Sequence, residues 1–403
     1  MTTTLVLPES IAAELAEMAR DPAERAAVLI VGRARPDGTT TRLLARRLWQ
    51  PPAHTYTERV HDSLVLGSDG WVPALSIAAT MEAGALFVHS HPGGNPTPSR
   101  HDREVDAALD GPFRVRTEQD LYGSLVVSPS AGAPGFELTG HLAPGTSLRE
   151  DTPIDRLLTV GRRITLSDSY DSPAPTPTAP LFDRQVRAFG GGVQRVLGLL
   201  KVGVAGAGGT GSAVLEQLVR LGVRDIVLVD PDTLTHANVT RVYGSTPADA
   251  ERPKVEIQAE HLQRIAPDLE IKTFQCSTAK SRIASAALTA CDVIFGCTDD
   301  DAGRLLLARL ATYYLTPVID CGVLLSSTDG VLEGIDGRVT TMVPGQACLL
   351  CRSRIDIARA TAETMSGREL EARQREGYAP ELEGVEPAVV AWTSLVASLA
   401  LTE

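Results

Sequence analysis

The chain has 403 residues, of which 43% are hydrophobic, and it carries a formal net charge of −12. Because this length exceeds that of one ordinary domain and the apolar content is enough for two cores, we expect two domains. The negative charge and the lack of a dense lysine or arginine block argue against a nucleic-acid partner.

The N-terminal residues, MTTTLVLPES, lack the positive charge and the apolar core of a signal peptide. No apolar run reaches the roughly 18 residues of a membrane span. We therefore expect a cytoplasmic protein without a membrane partner. All six cysteines lie from Cys276 onward, unlike the framework of a disulfide-stapled secreted domain, so reduced thiols are expected.

The pattern of strand-like and helical runs in residues 1–150 predicts a mixed α+β domain. Strand-like runs occupy 26–32, 40–49 and 85–91, a helical segment covers 99–110, and the strand-like runs YGSLVVSP and GFELTGHL follow. Proline, serine, threonine and aspartate then displace apolar residues in SDSYDSPAPTPTAP, which indicates a linker that we place at 151–180.

His89 and His91 end the third strand-like run. A strand projects residues i and i+2 to the same face, so the two imidazoles can share one ion. Asp102 lies in the first turn of the next helix, and two imidazoles with a carboxylate are a set that leaves a catalytic zinc one open position for water. Ser99 with an acid three places on is also a capping box, so these residues alone leave a metal site and an ordinary strand–helix junction equally open.

The complete pattern is His89-x-His91, seven residues, then Ser99-x-x-Asp102. It resembles the signature of the JAMM (JAB/MPN) zinc isopeptidases, and the resemblance covers roughly residues 5–145. It implies that His89, His91 and Asp102 bind zinc and that Ser99 steadies the tetrahedral oxyanion. In this family the site cleaves the bond after the C-terminal Gly-Gly of a ubiquitin-like protein.

The same resemblance implies a glutamate that acts as general base on the zinc water and then as acid to the leaving amine. Glu24, just before RAAVLIVG, is the best match, and Glu58 in TYTERV is the alternative. His101 is expected to be solvent-exposed.

Residues 181–403 predict a second domain with a doubly wound parallel sheet. An apolar run, a glycine-rich turn, an amphipathic helix and a second apolar run follow one another from Leu200, and CDVIFGCTDD and TPVIDCGV supply later strands. Backbone amides of the turn can approach a nucleotide phosphate; its glycines are Gly206, Gly208, Gly209 and Gly211. Asp230 closes the next strand, where a carboxylate would meet a ribose hydroxyl. This much also describes an NAD dehydrogenase.

Polar residues further along favour ATP over a nicotinamide. An amide and two cations follow the ribose acid, in the series Asp232, Asn238, Arg241 and Lys254. Asp299 ends a later strand, where it could hold magnesium. Cations and magnesium suit a triphosphate that loses pyrophosphate better than they suit a hydride carrier.

This order of residues resembles the ThiF/MoeB adenylyltransferases, the fold at the core of ubiquitin-activating enzymes, over about residues 181–400. The resemblance implies that Asp230 is the ribose acid and Asp232 the acid on the metal side. It implies that the phosphates are faced by Asn238, Arg241 and Lys254, and that Asp299 is the catalytic magnesium ligand. It also implies that Arg184, in FDRQVRAFG, reaches into the nucleotide site of a dimer mate. The implied reaction is attack of a C-terminal glycine carboxylate on the α-phosphate of ATP, which gives an acyl-adenylate and pyrophosphate.

The cysteines depart from this family in two ways. Cys348-x-x-Cys351 supplies one of the two usual CxxC pairs and no cysteine follows, so a four-thiolate zinc site within the chain is not expected. Three alternatives stay open for this pair: it is a relic of such a site, it binds a metal together with other residues, or it only packs. The usual thioester or sulfur-relay cysteine is also missing, and Cys321 is predicted to be a buried strand residue. We expect the enzyme to stop at the adenylate and to pass it to a partner's thiol or sulfur donor.

Together the two halves predict an α/β fusion, with a JAB/MPN-like metallopeptidase domain followed by a Rossmann-like ThiF/MoeB adenylation domain. The leading hypothesis is a homodimeric two-site enzyme that uses zinc, ATP and magnesium to mature and activate one small ubiquitin-like or sulfur-carrier protein. In one alternative the peptidase reverses conjugates, and in another the chain is a non-catalytic adaptor for ubiquitin-like proteins. A nicotinamide dehydrogenase ranks last.

Overall fold

The computed structural model describes residues 2–145, 150–169, 179–329, 331–377, 379–382 and 387–403. Two units make up the chain, Met1–Ala174 and Pro175–Glu403. No helix within the described ranges has the length and apolar character to cross a membrane.

The first unit is built on a nine-stranded sheet with helices on both faces. Its strands are β1 (Thr2–Pro8), β2 (Ala26–Ala34), β3 (Thr40–Trp49), β4 (Tyr56–Arg59), β5 (Leu64–Leu66), β6 (Gly84–Ser90), β7 (Tyr122–Pro129), β8 (Phe136–Leu142), β9 (Thr152–Pro153), β10 (Arg156–Val160) and β11 (Thr165–Asp168). Its helices are α1 (Glu9–Arg20), α2 (Ser68–Thr80) and α3 (Arg100–Thr117). The sheet order is β11-β10-β1-β3-β2-β6-β7-β8-β9, and β4 and β5 form a separate hairpin.

Strand β6 lies near the middle of this sheet, antiparallel to β2 and parallel to β7. Its alternate residues feed two apolar layers. Leu86 and Val88 pack in the layer that contains α1, whereas Ala85 and Phe87 pack in the layer that contains α2 and α3. His89 continues the second series, so its side chain is directed to the α2 and α3 face.

Helix α3 starts as the sequence predicts but ends later. Ser99 is its N-cap, and the helix continues past Asp110 through Gly111 and Pro112 to Thr117. Phe113 is 0% exposed. Burial of this last turn against the sheet outweighs the poor helix propensity of glycine and proline.

Residues 152–168 fall inside the span predicted as a linker, yet they form β9, β10 and β11 of the first sheet. β10 pairs in parallel with β1, and Leu157 and Leu158 are buried there. This apolar run is short and its partner strand is the first in the chain, so local composition did not reveal it. The rest of the linker prediction, at 170–178, lies outside the described residues.

The second unit has the doubly wound sheet that the sequence predicts. Its strands are β12 (Lys201–Ala205), β13 (Asp225–Val229), β14 (Glu270–Phe274), β15 (Val293–Gly296), β16 (Val318–Thr328) and β17 (Val331–Met342). Its helices are α4 (Asp183–Leu199), α5 (Gly209–Leu221), α6 (Lys254–Ile265), α7 (Arg282–Thr289), α8 (Asp301–Tyr313), α9 (Ile357–Thr364), α10 (Gly367–Arg375) and α11 (Val390–Ala400). The order β14-β13-β12-β15-β16-β17 is parallel except for β17.

The strand order reverses between β12 and β15. Helices α5, α6 and α11 pack in one apolar layer of this sheet, and α7, α8 and α9 pack in the other. In open α/β sheets, ligands bind at the carboxyl ends of the strands where the order reverses. The topology therefore favours the crevice beyond β12 and β15 as a nucleotide site.

Candidate active sites

Three side chains converge where β6 ends and α3 begins. The Nε2 atoms of His89 and His91 are 3.2 Å apart. Each lies 3.4 Å from an oxygen of Asp102, His89 from Oδ1 and His91 from Oδ2. Within the described part of the chain, this is the one group of three or more His, Cys, Asp or Glu residues whose ligand atoms come within 4.8 Å of one another.

These separations fit a tetrahedral zinc. Ligands about 2.0–2.2 Å from a tetrahedral ion lie about 3.3–3.6 Å from each other. The ring of His91 has its other nitrogen, Nδ1, 2.8 Å from the Asn95 carbonyl oxygen. An N–H there puts the lone pair of His91 on Nε2, facing Asp102, as a metal ligand requires.

Hydrogen bonds fix the carboxylate. The Asp102 amide donates to the Ser99 hydroxyl at 3.1 Å, and the Ser99 amide donates to Asp102 Oδ2 at 2.6 Å. This reciprocal pair is the capping box that the sequence suggested. The box therefore coexists with the ligand set, because it holds one carboxylate oxygen at the start of α3.

The electrostatics separate Asp102 from Glu24. Burial alone would raise the pKa of Asp102, but contacts with His89 and His91 outweigh this and hold the pKa of Asp102 well below its usual range. Burial raises the pKa of Glu24, and the two histidines only partly offset the rise. Asp102 thus stays ionised, whereas Glu24 can exchange a proton closer to neutral pH.

Glu24 is on the same side of the sheet as the histidines. The antiparallel register pairs Ala26 with His89, and the Ser90 amide continues it by donating to the Arg25 carbonyl at 2.9 Å. Two residues further on, this register brings Glu24 opposite His91. The Glu24 amide also donates to the Val60 carbonyl at 2.8 Å, which ties it to the end of β4.

His89, His91 and Asp102 line one cavity of about 670 Å³ together with Glu24 and Ser99. Glu58, the alternative base, is exposed on β4 and is not among the lining residues. His101 is exposed, as predicted, and lies at the rim of the cavity. His61 in the β4–β5 turn also lines the cavity, although no motif in the sequence indicated it. No local spacing connects His61 to histidines almost thirty residues away.

Asp106, one helical turn after Asp102, anchors α3 to the sheet. The Tyr122 hydroxyl donates to Asp106 Oδ1 at 2.6 Å, and His141 Nε2 lies 3.1 Å from Oδ2. Tyr122 begins β7 and is 0% exposed, and His141 lies on β8. A partly buried carboxylate with a partner on each oxygen therefore fixes the helix that carries Asp102.

The glycine-rich turn follows β12 and opens α5. Gly206 has φ +104°, and a side chain there would collide with the Cys297 carbonyl. A side chain at Gly211 would collide with the Gly206 carbonyl. At Gly208 the corresponding space is open. Two glycines thus permit close packing, and Gly208 leaves room for a ligand at the start of the helix.

Asp230 holds this turn in place. Its Oδ2 accepts from the Ala207 amide at 2.6 Å and its Oδ1 accepts from the Asp232 amide at 2.8 Å. Burial raises the pKa of Asp230, although Lys254 and these amides partly offset the rise. Asp232 pairs with Lys254 Nζ at 2.7 Å. The carboxylate oxygens of Asp230 keep further lone pairs for a ribose hydroxyl.

Among the other residues predicted to face phosphate or magnesium, Arg241 lies beside the turn. The Arg241 side chain lies against Gly209, and the Arg241 amide donates to the Asn238 carbonyl at 3.0 Å. Asp299 is exposed in the loop after β15, two residues beyond Cys297, whose carbonyl abuts the turn at Gly206. Arg241 is thus brought to the start of α5, and Asp299 lies in the loop that packs against the turn.

Arg184 lies elsewhere in the unit. Its neighbour Gln185 donates to the Arg220 carbonyl at 2.9 Å, and Phe182 lies close to Gly222. These contacts are with the C-terminal end of α5, a helix of 13 residues and so about 20 Å long. Arg184 is therefore too far from the turn at the other end of α5 to reach its own nucleotide crevice.

The Sγ atoms of Cys348 and Cys351 lie 3.7 Å apart. Among the described residues, no third metal-ligating side chain completes a group with them. Hydrogen bonds from backbone amides and the Cys351 thiol outweigh burial and lower the pKa of the Cys348 thiol. Cys321 is 4% exposed on β16, which confirms the predicted buried strand residue.

Residues 182–403, over half of the chain, match the model of the ThiF family. The chain belongs to the ThiF family. Residues 8–130 match the model for prokaryotic homologs of the JAB domain. The chain is therefore a fusion of a JAB-like domain and a ThiF domain, which confirms both resemblances.

Named relatives match only part of the chain. A SAMP-activating enzyme E1 of Haloferax volcanii is 26% identical over 38% of this chain and 52% of that protein. The ATP-dependent ubiquitin transferase-like protein Cap2 of Enterobacter hormaechei is 37% identical over 28% of this chain and 18% of that protein. The molybdopterin-synthase adenylyltransferase of Escherichia coli is 28% identical over 43% of this chain and 68% of that protein. The chain thus spans about half or less of the first two.

The Asp106 anchor predicts a pH-dependent effect of His141→Gln. The contact with Asp106 raises the pKa of His141 above its ordinary value of about 6.5. The contact therefore contributes its full stabilisation below about pH 6.5, and this contribution is lost as the pH rises through the raised pKa of His141. We expect the substitution to cost about 1.5–3 kcal/mol at about pH 5.5 and clearly less at about pH 9. Hydrogen exchange of the α3 amides measures the loss of stability at each pH. Equal losses at the two pH values would contradict an ion pair between His141 and Asp106.

The glycine turn predicts opposite behaviour for two neighbouring substitutions. Gly211→Ala forces a methyl group against the Gly206 carbonyl, so we expect a loss of about 1–3 kcal/mol in stability. Gly208→Ala meets open space and should change stability by less than about 0.5 kcal/mol, but should weaken ATP binding. Thermal unfolding with and without ATP tests both. A full ATP-induced rise in Tm for Gly208→Ala would count against a nucleotide at this turn.

Proposed function

We propose that the chain is a two-site enzyme of a ubiquitin-like or sulfur-carrier pathway. The JAB-like domain cleaves after the C-terminal Gly-Gly of a small carrier protein, and the ThiF domain uses ATP to adenylate the carboxylate so exposed. The relatives named above, an activating enzyme and an adenylyltransferase, support the second activity. The tetrahedral spacing of His89, His91 and Asp102 is the single observation that carries the first.

When bound by His89, His91 and Asp102, zinc would polarise the scissile carbonyl and supply a water with a pKa of about 7. Glu24 takes the proton of the attacking water and returns it to the leaving amine, a role that its raised pKa suits. The Ser99 hydroxyl oxygen accepts a hydrogen bond from the Asp102 amide. The O–H of Ser99 therefore remains able to donate to the developing oxyanion.

In the ThiF domain, an oxygen of the terminal glycine carboxylate forms a bond to the α-phosphorus of ATP. The bond from that phosphorus to the oxygen bridging to the β-phosphate breaks, and pyrophosphate leaves. Arg241, Lys254 and the amides at the start of α5 stabilise the phosphate charge. Asp299 would hold magnesium, which offsets the charge on the leaving group.

Arg184 completes this site from a second copy of the chain. It is exposed and lies about 20 Å from its own glycine turn, so a role in catalysis requires the crevice of a partner subunit. We propose a homodimer through the ThiF domain on this ground. The product acyl-adenylate then passes to the thiol or sulfur donor of another protein.

The peptidase site predicts that zinc binding and cleavage separate in variants. His89→Ala and Asp102→Ala should each remove one equivalent of zinc. Glu24→Gln should keep that zinc and lose about 100- to 10,000-fold in cleavage rate, because only the proton shuttle is removed. Elemental analysis of the purified chain gives the zinc content, and mass spectrometry of a Gly-Gly protein with a C-terminal extension gives the cleavage.

Glu58→Gln is the matched control, since Glu58 is an exposed glutamate outside the cavity, and it should behave as wild type. A second outcome is that the zinc-loaded wild-type chain leaves the extension intact and cuts an isopeptide-linked conjugate. That result would assign the peptidase to deconjugation and not to maturation. If neither substrate is cut, the peptidase assignment fails.

The adenylation site predicts complementation between two inactive variants. Asp299→Asn and Arg184→Ala should each lose pyrophosphate exchange with a Gly-Gly carrier protein. Mixed and reassembled subunits should regain about a quarter of wild-type exchange, because half of the dimers then hold one intact site of two. Asp268→Asn, an exposed acid distant from the turn, is the control. Exchange that stays absent in the mixture would argue against an arginine supplied by the partner subunit.

A further inference from the structure

The cavity that contains the three ligands has an apolar wall that the mechanism above does not use. Its members are Leu64, Leu66, Trp71, Phe87, Val105 and Leu109. All except Phe87 are partly exposed, so they present apolar surface to the cavity. Such a surface beside a reaction centre binds an apolar part of a ligand.

The wall begins at the ligands themselves. On β6, Phe87 precedes His89 by two residues and shares its face, with the ring centroids 6.0 Å apart. On α3, Val105 and Leu109 follow Asp102 by three and seven residues, a spacing that keeps them on one helix face. The two elements that place the ligands therefore also place apolar side chains next to them.

The hydrophobic core lies behind this wall. Trp71 stacks on Phe113 with ring centroids 5.5 Å apart, and Phe113 is 0% exposed. Leu64 and Leu66 pack against the same core cluster, and Leu66 lies so close to Gly70 that a side chain there would collide with it. The wall thus separates the cavity from the hydrophobic core and suits a substrate side chain whose end lies against the wall.

We infer that the wall binds a large apolar side chain on the residue that follows the cut bond, which is the first residue of the removed tail. The inference rests on the proposed cleavage after Gly-Gly. The two glycines have no side chains, and successive residues of an extended chain are about 3.3–3.8 Å apart. The first tail residue therefore carries the substrate side chain nearest to the ligands.

Synthetic peptides with a central Gly-Gly, varied only in the next residue, test this on the zinc-loaded full-length chain. Leucine, methionine or phenylalanine at that position should raise kcat/KM about 10- to 100-fold over aspartate or glycine, because their burial against the wall contributes to binding in the transition state. A Gly-Gly unit joined to a lysine side chain should be cut more slowly than the leucine peptide.

Trp71→Ala and the near-isosteric Val105→Thr should lower this preference to below about threefold, because each removes apolar surface from the wall. Both should retain wild-type zinc content, which shows that the ligand set is intact. Val115→Ser is the matched control, since Val115 lies on the same helix and is 77% exposed outside the cavity; it should keep the full preference.

The outcomes separate the inference from the proposed function. If the zinc-loaded wild type cuts no Gly-Gly peptide, both fail. If it cuts all linear peptides at similar rates, or cuts the lysine-linked form fastest, the peptidase activity stands and the inference about the wall is overturned. Unchanged preference in Val105→Thr and Trp71→Ala with normal zinc content would also overturn it.

Discussion

The hydrogen bonds that Asp106 accepts from Tyr122 and His141 hold α3 against the sheet, and the first site depends on the position of that helix. Asp102 lies one turn earlier in the helix, and its oxygens must remain about 3.4 Å from two imidazoles held by a different element. The apolar side chains that follow Asp102 on the same face are placed by the same anchor. A shift of α3 would therefore change the ligand set and the substrate cavity together.

The second site depends on a comparable close contact between elements. Without side chains at Gly206 and Gly211, the β12–α5 turn can approach the end of β15. Asp299 lies three residues after the end of β15, in the loop whose Cys297 carbonyl lies against the turn at Gly206. Asp230 then holds the turn by accepting a hydrogen bond from the Ala207 amide, while its other oxygen accepts from the Asp232 amide. One tight packing contact thus assembles a site from three strands that are far apart in sequence.

Features defined by short spacings were predictable. The His89-x-His91 pair, the capping box at Ser99 and the glycine-rich turn each depend on neighbours within a few residues, and the structure has them at the expected ends of strands and helices. Features that depend on distant partners were not. Strand β10 pairs with β1 about 150 residues earlier, and its short apolar run gave no local sign of this. The same holds for His61, which lies in the turn between β4 and β5, and for the apolar wall, whose members come from β5, α2, β6 and α3.

A chain that both cuts after Gly-Gly and activates the resulting carboxylate needs to distinguish a tailed precursor from a finished conjugate. A precursor places a free-ended side chain after the cut bond, whereas in a conjugate the lysine side chain itself continues into the modified protein. A wall backed by Trp71 and the buried Phe113 can enclose the former but would obstruct the latter. If one chain has both of the proposed activities, cleaved carrier is generated at high effective concentration near the site that activates it. Discrimination at the first tail residue would then drive the carrier toward activation and limit the hydrolysis of conjugates that had already consumed ATP.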